Sequence, residues 1–175
     1  MELFHIPFTV QVADVDETME DLPTEQAVGR LSYRKAAAVN AEESQIVIGA
    51  DTIVVLEGTV LGKPRSEAQA VQMLTDLSGR DHQVMTGLTV LRGSAAAVCT
   101  EVTDIHFREL SDQEIRSYIA TGEPMDKAGS YGIQGGAALF AERISGDYFN
   151  VVGLRVCQLG NVLRQLAPQL MEETV

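Results

Sequence analysis

Apolar and polar positions along the chain follow patterns that predict several strands. Alternation over Phe8–Val12 is typical of a half-buried strand. A long apolar run, Ile46–Ala50 continued by Thr52–Leu56, predicts a second strand, and Glu57-Gly58 predicts the turn into a short return strand over Thr59–Leu61. The remaining strands are predicted over His82–Leu91, Ala96–Phe107 and Ala137–Ile144.

Helical patterns are interspersed with these strands. Thr24 is predicted to cap a helix that runs from Glu25 to about Ala41. Ser66–Gln69 and Ser111–Glu114 have the spacing of capping boxes and predict two further helix starts, and a last helix is predicted from about Val156 to Leu166. Strands and helices are mixed, with long hairpins among them, which predicts an α/β (mixed α+β) domain whose twisted mixed sheet is flanked by helices.

Composition narrows the class of protein. The chain has 175 residues, of which 45% are hydrophobic, so we expect one folded domain. The formal charge of −12 argues against nonspecific binding to nucleic acid or anionic membranes, although a local pocket can still bind an anionic substrate. The start, MELFHIPFTV, does not resemble a signal peptide, and two cysteines are too few for a disulfide framework or a zinc site. A cytoplasmic location is predicted.

One carboxylate interrupts the longest apolar run. Asp51 follows Ile-Val-Ile-Gly-Ala, and a carboxylate at the end of a buried strand is costly unless it finds a partner, a metal or a proton. Functional carboxylates concentrate at such positions. The alternative is a strand-end aspartate that bonds its own turn.

Two other stretches have residue types suited to anionic ligands. Lys63 lies between Gly62 and Pro64, which suits a lysine held near phosphate but also an exposed hairpin lysine. The loop Asp126–Gly136 is rich in glycines, whose backbone N–H groups can approach a ligand, and its Gln134 offers an amide that can pair with a base edge. An ordinary irregular loop is the other interpretation.

Several long motifs occur in order along the chain, and together they resemble the Maf family of nucleoside triphosphate pyrophosphatases. They are VIGADTIVVLEGTVLGKP, LSGRDHQVMTGLTVL, LSDQEIRSYIATGEPMDKAGSYGIQG and GDYFNVVGL, and the resemblance runs from about Ile6 to Leu159. It implies one Maf-like domain over residues 1–175, with the Maf/inosine-triphosphatase-like fold and a cleft between two lobes. It also implies hydrolysis of a nucleoside triphosphate to the monophosphate and pyrophosphate, with Mg²⁺ or Mn²⁺.

The resemblance assigns roles to individual residues. Asp51, in GADT, matches the proton acceptor that activates the attacking water, directly or through a metal. Lys63 of LGKP and Lys35 on the preceding helix are expected to neutralise phosphate charge. Glu17, in DVDE, is similar to a cleft carboxylate that helps to hold metal or water, with Asp14 and Asp16 as close rivals.

Substrate specificity is implied by two further matches. Thr52 and Gln134 match the subgroup that prefers dTTP and UTP. Physically, an amide can pair with the O4 and N3 edge of thymine or uracil. The resemblance also implies a homodimer.

The chain departs from the family pattern in two places. The family's first strand and its Ser-Pro-Arg-Arg loop, which supplies arginine to the triphosphate, have no counterpart in the given sequence, and Arg155 stands where proline is usual. These departures motivate an alternative to the dTTP/UTP pyrophosphatase: a catalytically weak or inactive nucleotide-binding regulator of cell division and septum formation. A nucleic-acid-binding module is disfavoured by the acidic charge.

Overall fold

The computed structural model describes residues 1–172. Helices and strands are mixed, so the predicted α+β class is confirmed. In chain order the elements are α1 (Thr24–Ala37), β1 (Ile46–Leu56), β2 (Thr59–Leu61), α2 (Glu67–Leu77), β3 (Asp81–Arg92), β4 (Ala95–Phe107), α3 (Asp112–Ile119), β5 (Ala141–Ser145), α4 (Tyr148–Val152), α5 (Val156–Leu166) and α6 (Pro168–Met171). Short 3-10 turns occur at Glu2–Phe4, Glu123–Asp126, Ala128–Ser130 and Gly136–Leu139.

The strands form a five-stranded sheet in the order β2-β1-β3-β4-β5. Strands β1 and β2 pair antiparallel, with Val54 opposite Leu61. Their two-residue turn has positive φ at both Glu57 (48°) and Gly58 (80°), the backbone that a tight hairpin requires. Strands β4 and β5 also pair antiparallel, with Ile105 opposite Ile144.

The chain divides into two compact units. The first contains Met1–Asp51, Thr86–Glu101 and the chain from Gly153 onward, and the second contains Thr52–Met85 and Val102–Val152. Strands β1, β3 and β4 therefore each contribute residues to both units. The prediction of one Maf-like domain over residues 1–175 stays a prediction.

Each unit has its own apolar core. In the first unit, the 3-10 turn at the start of the chain packs with β3 and α5 through Phe4, Leu88, Val90, Leu159, Val162 and Leu163. In the second unit, α2, α3 and parts of the sheet share a larger core that includes Val54, Leu74, Leu77, Val84, Ile105, Phe107, Tyr118 and Tyr131. Burial of this apolar area is the main stabilising contribution to each unit.

Helix α1 approaches the sheet closely because two strand positions have no side chain. A Cβ added at Gly49 of β1 would lie 2.5 Å from the carbonyl oxygen of Ser32, and one at Gly87 of β3 would lie 2.4 Å from that of Val28. The hydroxyl of Ser32, fully buried, lies 2.8 Å from that of Thr89 on β3. Glycine at these two positions therefore sets the distance of α1 from the strands.

Three local expectations are wrong. Phe8–Val12 is not a strand: Val10 and Val12 are 82% and 96% exposed, so the alternation marks no buried face. The segment predicted as a strand over Ala137–Ile144 begins as the 3-10 turn Gly136–Leu139, and the strand itself is Ala141–Ser145. Thr24 is not a cap but the first helical residue, and α1 ends at Ala37.

Both predicted serine caps, Ser66 and Ser111, are present in the structure. The Ser111 hydroxyl accepts from the Glu114 backbone N–H while the Glu114 carboxylate accepts from that of Ser111, which confirms this capping box. The Ser66 hydroxyl accepts from the Gln69 N–H. Within the part of the chain that the structure describes, the helices are too short or too polar to cross a membrane.

Candidate active site

Helix α1 brings a lysine to the carboxylate that interrupts β1. Gly49 and Asp51 are two residues apart on β1, so they face the same side of the strand, where α1 lies. Ala36 of α1 contacts Gly49: an added Cβ there would lie 2.8 Å from the Ala36 Cβ. Lys35 is the next residue back along the helix, and the close helix–strand approach places its ammonium beside Asp51.

The lysine joins two carboxylates. Lys35 Nζ donates to Asp51 Oδ1 at 2.5 Å and lies 2.7 Å from Glu17 Oε1. The side chains of Lys35 and Asp51 are 21% and 14% exposed, whereas Glu17 is more open to solvent. Asp51 is therefore an interior strand residue paired across to α1, and not a strand-end residue that bonds its own turn.

The two carboxylates keep the lysine charged. Burial of the Lys35 ammonium by itself lowers its pKa, but hydrogen bonds from the ammonium to Asp51 and Glu17, with the charges of both, outweigh burial. The net result is a pKa above the ordinary value for lysine. Lys35 is therefore a fixed positive charge at neutral pH.

The backbone around Glu17 is held on the same helix. Arg34 Nη2 of α1 donates to the carbonyl oxygen of Thr18 at 2.7 Å. Asp16 bonds within its own turn, because its Oδ1 accepts from the N–H and hydroxyl of Thr18 at 2.9 and 2.6 Å. Asp14 is exposed. Of the three rival carboxylates, the contact with Lys35 favours Glu17.

The second unit contains the other predicted residues. Lys63 follows β2, and the carbonyl oxygen of its neighbour Gly62 accepts from the N–H of Gly129 at 3.1 Å. This hydrogen bond docks the glycine-rich loop against the Lys63 turn. Two lysines influence Asp126 there: the hydrogen bond from Lys127 and, more weakly, the charge of Lys63 lower the pKa of Asp126.

Gln134 lies at the exposed tip of that loop, while residues on either side of it, Ile133 and Ala137, are buried. Before the tip, Tyr131 is held by an edge contact with the ring of Phe107 and by His82 Nε2, 2.9 Å from its hydroxyl. The amide predicted to read a base is therefore presented from an anchored backbone.

Thr52 directly follows Asp51 in β1, so its side chain points to the opposite face of the strand. It is half-buried. The structure thus brings Glu17, Lys35 and Asp51 together in the first unit, and the roles predicted for Thr52, Lys63 and Gln134 in the second stay predictions.

The residues around Lys35 suit a hard divalent cation. Glu17 Oε1 and Asp51 Oδ1 both point at Lys35 Nζ, so a cation would be held by these carboxylates beside the ammonium and not at the point where the two oxygens meet. Mg²⁺ is held in proteins by one or two carboxylates together with substrate phosphates. Within residues 1–172, no group of three or more His, Cys, Asp or Glu side chains is placed to hold a metal. The two carboxylates are of the donor type that Mg²⁺ prefers, and further ligands would have to come from substrate or water.

Two residues near the predicted site were missed at the level of sequence. Glu123 and Tyr118 contact the backbone on both sides of Gln134. Glu123 starts a 3-10 turn next to Pro124, and nothing in the sequence distinguishes it from an ordinary surface residue. The signal that could have found it is the set of glycines at 132, 135 and 136, which leave room for a side chain to lie against the loop.

The acid–lysine–acid group of this α+β fold consists of Asp51 on β1, Lys35 on α1 and Glu17 in the segment before α1. Comparison with known proteins gives the class of protein. A family model described as "Maf-like protein" matches residues 1–166. The chain belongs to the Maf-like protein family, and the predicted resemblance is confirmed.

Several similar curated proteins share the name "dTTP/UTP pyrophosphatase". The protein of that name from Geobacillus sp. (strain WCH70) is 47% identical over 168 residues, which is 95% of this chain and 90% of the relative. The one from Desulforamulus reducens is 46% identical over 170 residues, 95% of this chain and 89% of the relative. The one from Symbiobacterium thermophilum is 52% identical over 163 residues, which is 91% of this chain and 84% of the relative.

Proposed function

We propose that this protein is a nucleoside triphosphate pyrophosphatase that hydrolyses dTTP, UTP and related non-standard pyrimidine nucleotides to the monophosphate and pyrophosphate. The observation that carries the proposal is the Glu17–Lys35–Asp51 group, in which one half-buried ammonium holds two carboxylates at 2.7 and 2.5 Å. The family match and the shared name of the relatives support the same activity.

Asp51 acts as the proton acceptor. A water oxygen forms a bond to the α-phosphorus, the bond from that phosphorus to the bridging oxygen breaks, and pyrophosphate leaves. Asp51 takes the proton that the water loses. Lys35 holds the Asp51 carboxylate in place through the hydrogen bond that its ammonium donates.

Lys35 also has a role toward the substrate. An ammonium has three N–H donors, and the structure gives carboxylate partners at Asp51 and Glu17. A remaining N–H can donate to a phosphate oxygen. Lys35 would then contact both the proton acceptor Asp51 and a phosphate of the substrate. The predicted contact with phosphate is thus compatible with the observed ion pair between Lys35 and Asp51.

Glu17 and Asp51 would hold a divalent cation, Mg²⁺ or Mn²⁺. When bound, such a cation neutralises phosphate charge that develops in the reaction. The exposure of Glu17 leaves that side open to solvent. On the second unit, Lys63 would bind phosphate, and Gln134 with Thr52 would set the preference for thymine or uracil.

The activity is tested with purified protein, the nucleotides dTTP, UTP, CTP and 7-methyl-GTP, and Mg²⁺ or Mn²⁺. We expect pyrophosphate release from dTTP and UTP, and a 10²- to 10⁴-fold lower kcat in Asp51→Asn, roughly the contribution of a general base. Asp104→Asn is the matched control, because Asp104 is an exposed strand carboxylate that accepts a hydrogen bond from the Gln83 side chain. Undiminished turnover in Asp51→Asn would contradict the role of Asp51.

The alternative, a catalytically weak regulator of cell division, is not favoured by the names of the relatives. Calorimetry separates the two: nucleotide binding without turnover would support the regulator. A homodimer and a cytoplasmic location stay predictions.

A further inference from the structure

We propose that Glu123 and Tyr118 are positioning residues that clamp the turn carrying Gln134 and thereby set the discrimination between pyrimidine bases. The inference rests on the proposed function and deepens it. It concerns residues that the sequence did not single out, and every contact that supports it lies within the second unit.

The clamp is a continuous hydrogen-bond network. The hydroxyl of Tyr118 donates to Glu123 Oε1 at 2.9 Å and accepts from the N–H of Gly132 at 3.0 Å. Glu123 Oε2 accepts from the N–H of Gly136 at 3.1 Å. The N–H of Gly135 donates to the carbonyl oxygen of Gly132 at 3.1 Å and closes the turn. The backbone is therefore held two residues before Gln134 and two residues after it.

The glycines of this turn make room for the carboxylate. A Cβ added at Gly135 would lie 2.0 Å from Glu123 Oε1, and one at Gly132 would lie 2.9 Å from the same atom. At Gly136 an added Cβ would come within 3.1 Å of the Tyr118 ring. The turn and the two clamping side chains thus fit against each other, and a side chain at any of these positions would displace the clamp.

The packing of Tyr118 in the core of the second unit fixes the clamp in turn. Tyr118 is buried on α3, and its ring makes an edge contact with Phe140 at 5.1 Å between centroids. Burial raises the pKa of the Tyr118 hydroxyl well above its usual range, so it stays protonated and keeps donating to Glu123. The exposed side chain of Gln134 then projects from a turn whose backbone has little freedom.

A fixed amide discriminates between bases better than a mobile one. Thymine and uracil present an O4 acceptor and an N3–H donor, whereas cytosine presents an amino donor and an N3 acceptor. A glutamine amide can rotate to serve either pattern, so its selectivity depends on being held in one orientation. A site built to bond one pattern rejects the other because polar groups are left unpaired.

The experiment measures kcat/KM for UTP and CTP in the wild type, Tyr118→Phe, Glu123→Ala, Glu123→Gln and Gln134→Ala. Tyr118→Phe keeps the buried ring and removes only the hydroxyl. We expect it to lower kcat/KM for UTP about tenfold, mostly through KM, while CTP changes about twofold or less. Glu123→Gln, which keeps an acceptor oxygen, should fall between the wild type and Glu123→Ala.

A double variant distinguishes a positioning effect that acts through Gln134 from a general loss of activity. If Glu123 acts through Gln134, Glu123→Ala combined with Gln134→Ala should have the same UTP-to-CTP ratio as Gln134→Ala alone. Hydrogen exchange over residues 131–137 should rise in Tyr118→Phe and Glu123→Ala, with the circular dichroism of the whole chain unchanged.

The outcomes are distinct. Equal losses for UTP and CTP in Tyr118→Phe, or a double variant with a further loss of discrimination, would overturn the clamp and leave the proposed function intact. A wild type that hydrolyses none of the nucleotides would overturn the proposed function, and the base discrimination proposed here with it. A tenfold loss confined to UTP, with faster exchange at the turn, would support the clamp.

Discussion

Lys35 Nζ lies 2.5 Å from Asp51 Oδ1, across the contact between α1 and β1. The pairing accounts for an aspartate within an apolar strand, because the half-buried Lys35 ammonium offsets the desolvation of the carboxylate. It also means that any substitution at one residue changes the electrostatics of the other.

The first prediction concerns the titration of Lys35. Because Asp51 and Glu17 raise the Lys35 pKa, Asp51→Asn should lower it, and NMR of the lysine side-chain carbons next to Nζ would measure the change. In the wild type, the stabilisation by charged Lys35 should be fully present below the ordinary lysine pKa and be lost as pH rises through the higher folded value. A Lys35 pKa that is the same in the wild type and Asp51→Asn would contradict the coupling.

The second prediction separates the rival carboxylates. Glu17→Gln should raise the Mg²⁺ or Mn²⁺ concentration needed for half-maximal activity, by about 10- to 100-fold, whereas Asp14→Asn should leave it near the wild-type value. Direct titration with Mn²⁺ by calorimetry gives a readout independent of turnover. The reverse order of effects would move the metal role from Glu17 to Asp14.

A third prediction tests the close approach of α1 to β1. Gly49→Ala would place a Cβ 2.5 Å from the Ser32 carbonyl oxygen, so helix and strand must separate. We expect a loss of about 1–3 kcal/mol in the free energy of unfolding, measured by urea denaturation, together with weaker activity because Lys35 moves with the helix. Gly62→Ala is the stability control, since its Cβ would meet nothing within 4 Å.

The fourth prediction is a pH dependence of stability. His82 is 3% exposed, and burial lowers its pKa to about 4. Between that value and the ordinary histidine pKa, the unfolded chain binds the proton and the folded chain does not, so the free energy of unfolding falls as pH falls.

His82→Gln removes the titrating group and is the matched variant. Between pH 7 and pH 4 the wild type should lose about 3 kcal/mol more than His82→Gln, the free energy equivalent of the pKa difference. Denaturation curves at both pH values measure it. Parallel losses in the two proteins would show that His82 is not the group responsible.

Much of the sheet could be predicted because strand signals are local. The apolar run on both sides of Asp51 predicts β1, and Glu57-Gly58 predicts the turn that follows, where the structure has positive φ at both positions. Phe8–Val12 shows the limit of the same reasoning, since alternation indicates a strand only where a neighbouring strand and a core exist, and here the apolar side chains are exposed.

Sequence motifs propose candidate site residues, but they do not give the contacts among them. The motif around Asp51 marks the carboxylate, yet its partner Lys35 is 16 positions away and is brought near by the packing of α1 on Gly49. Tyr118 and Glu123 depend even more on tertiary structure, because their contacts are with backbone N–H groups, which carry no signature of residue type.

The hydrogen bond from the Gly129 N–H to the Gly62 carbonyl oxygen couples the Lys63 turn to the loop that ends in Gln134. Lys63, proposed to bind phosphate, and Gln134, proposed to read the base, are thereby linked through one backbone hydrogen bond. A substitution that shifts the turn to fit a different phosphate chain should also shift the amide, so evolution of a new base preference in this scaffold should require compensating changes at both positions.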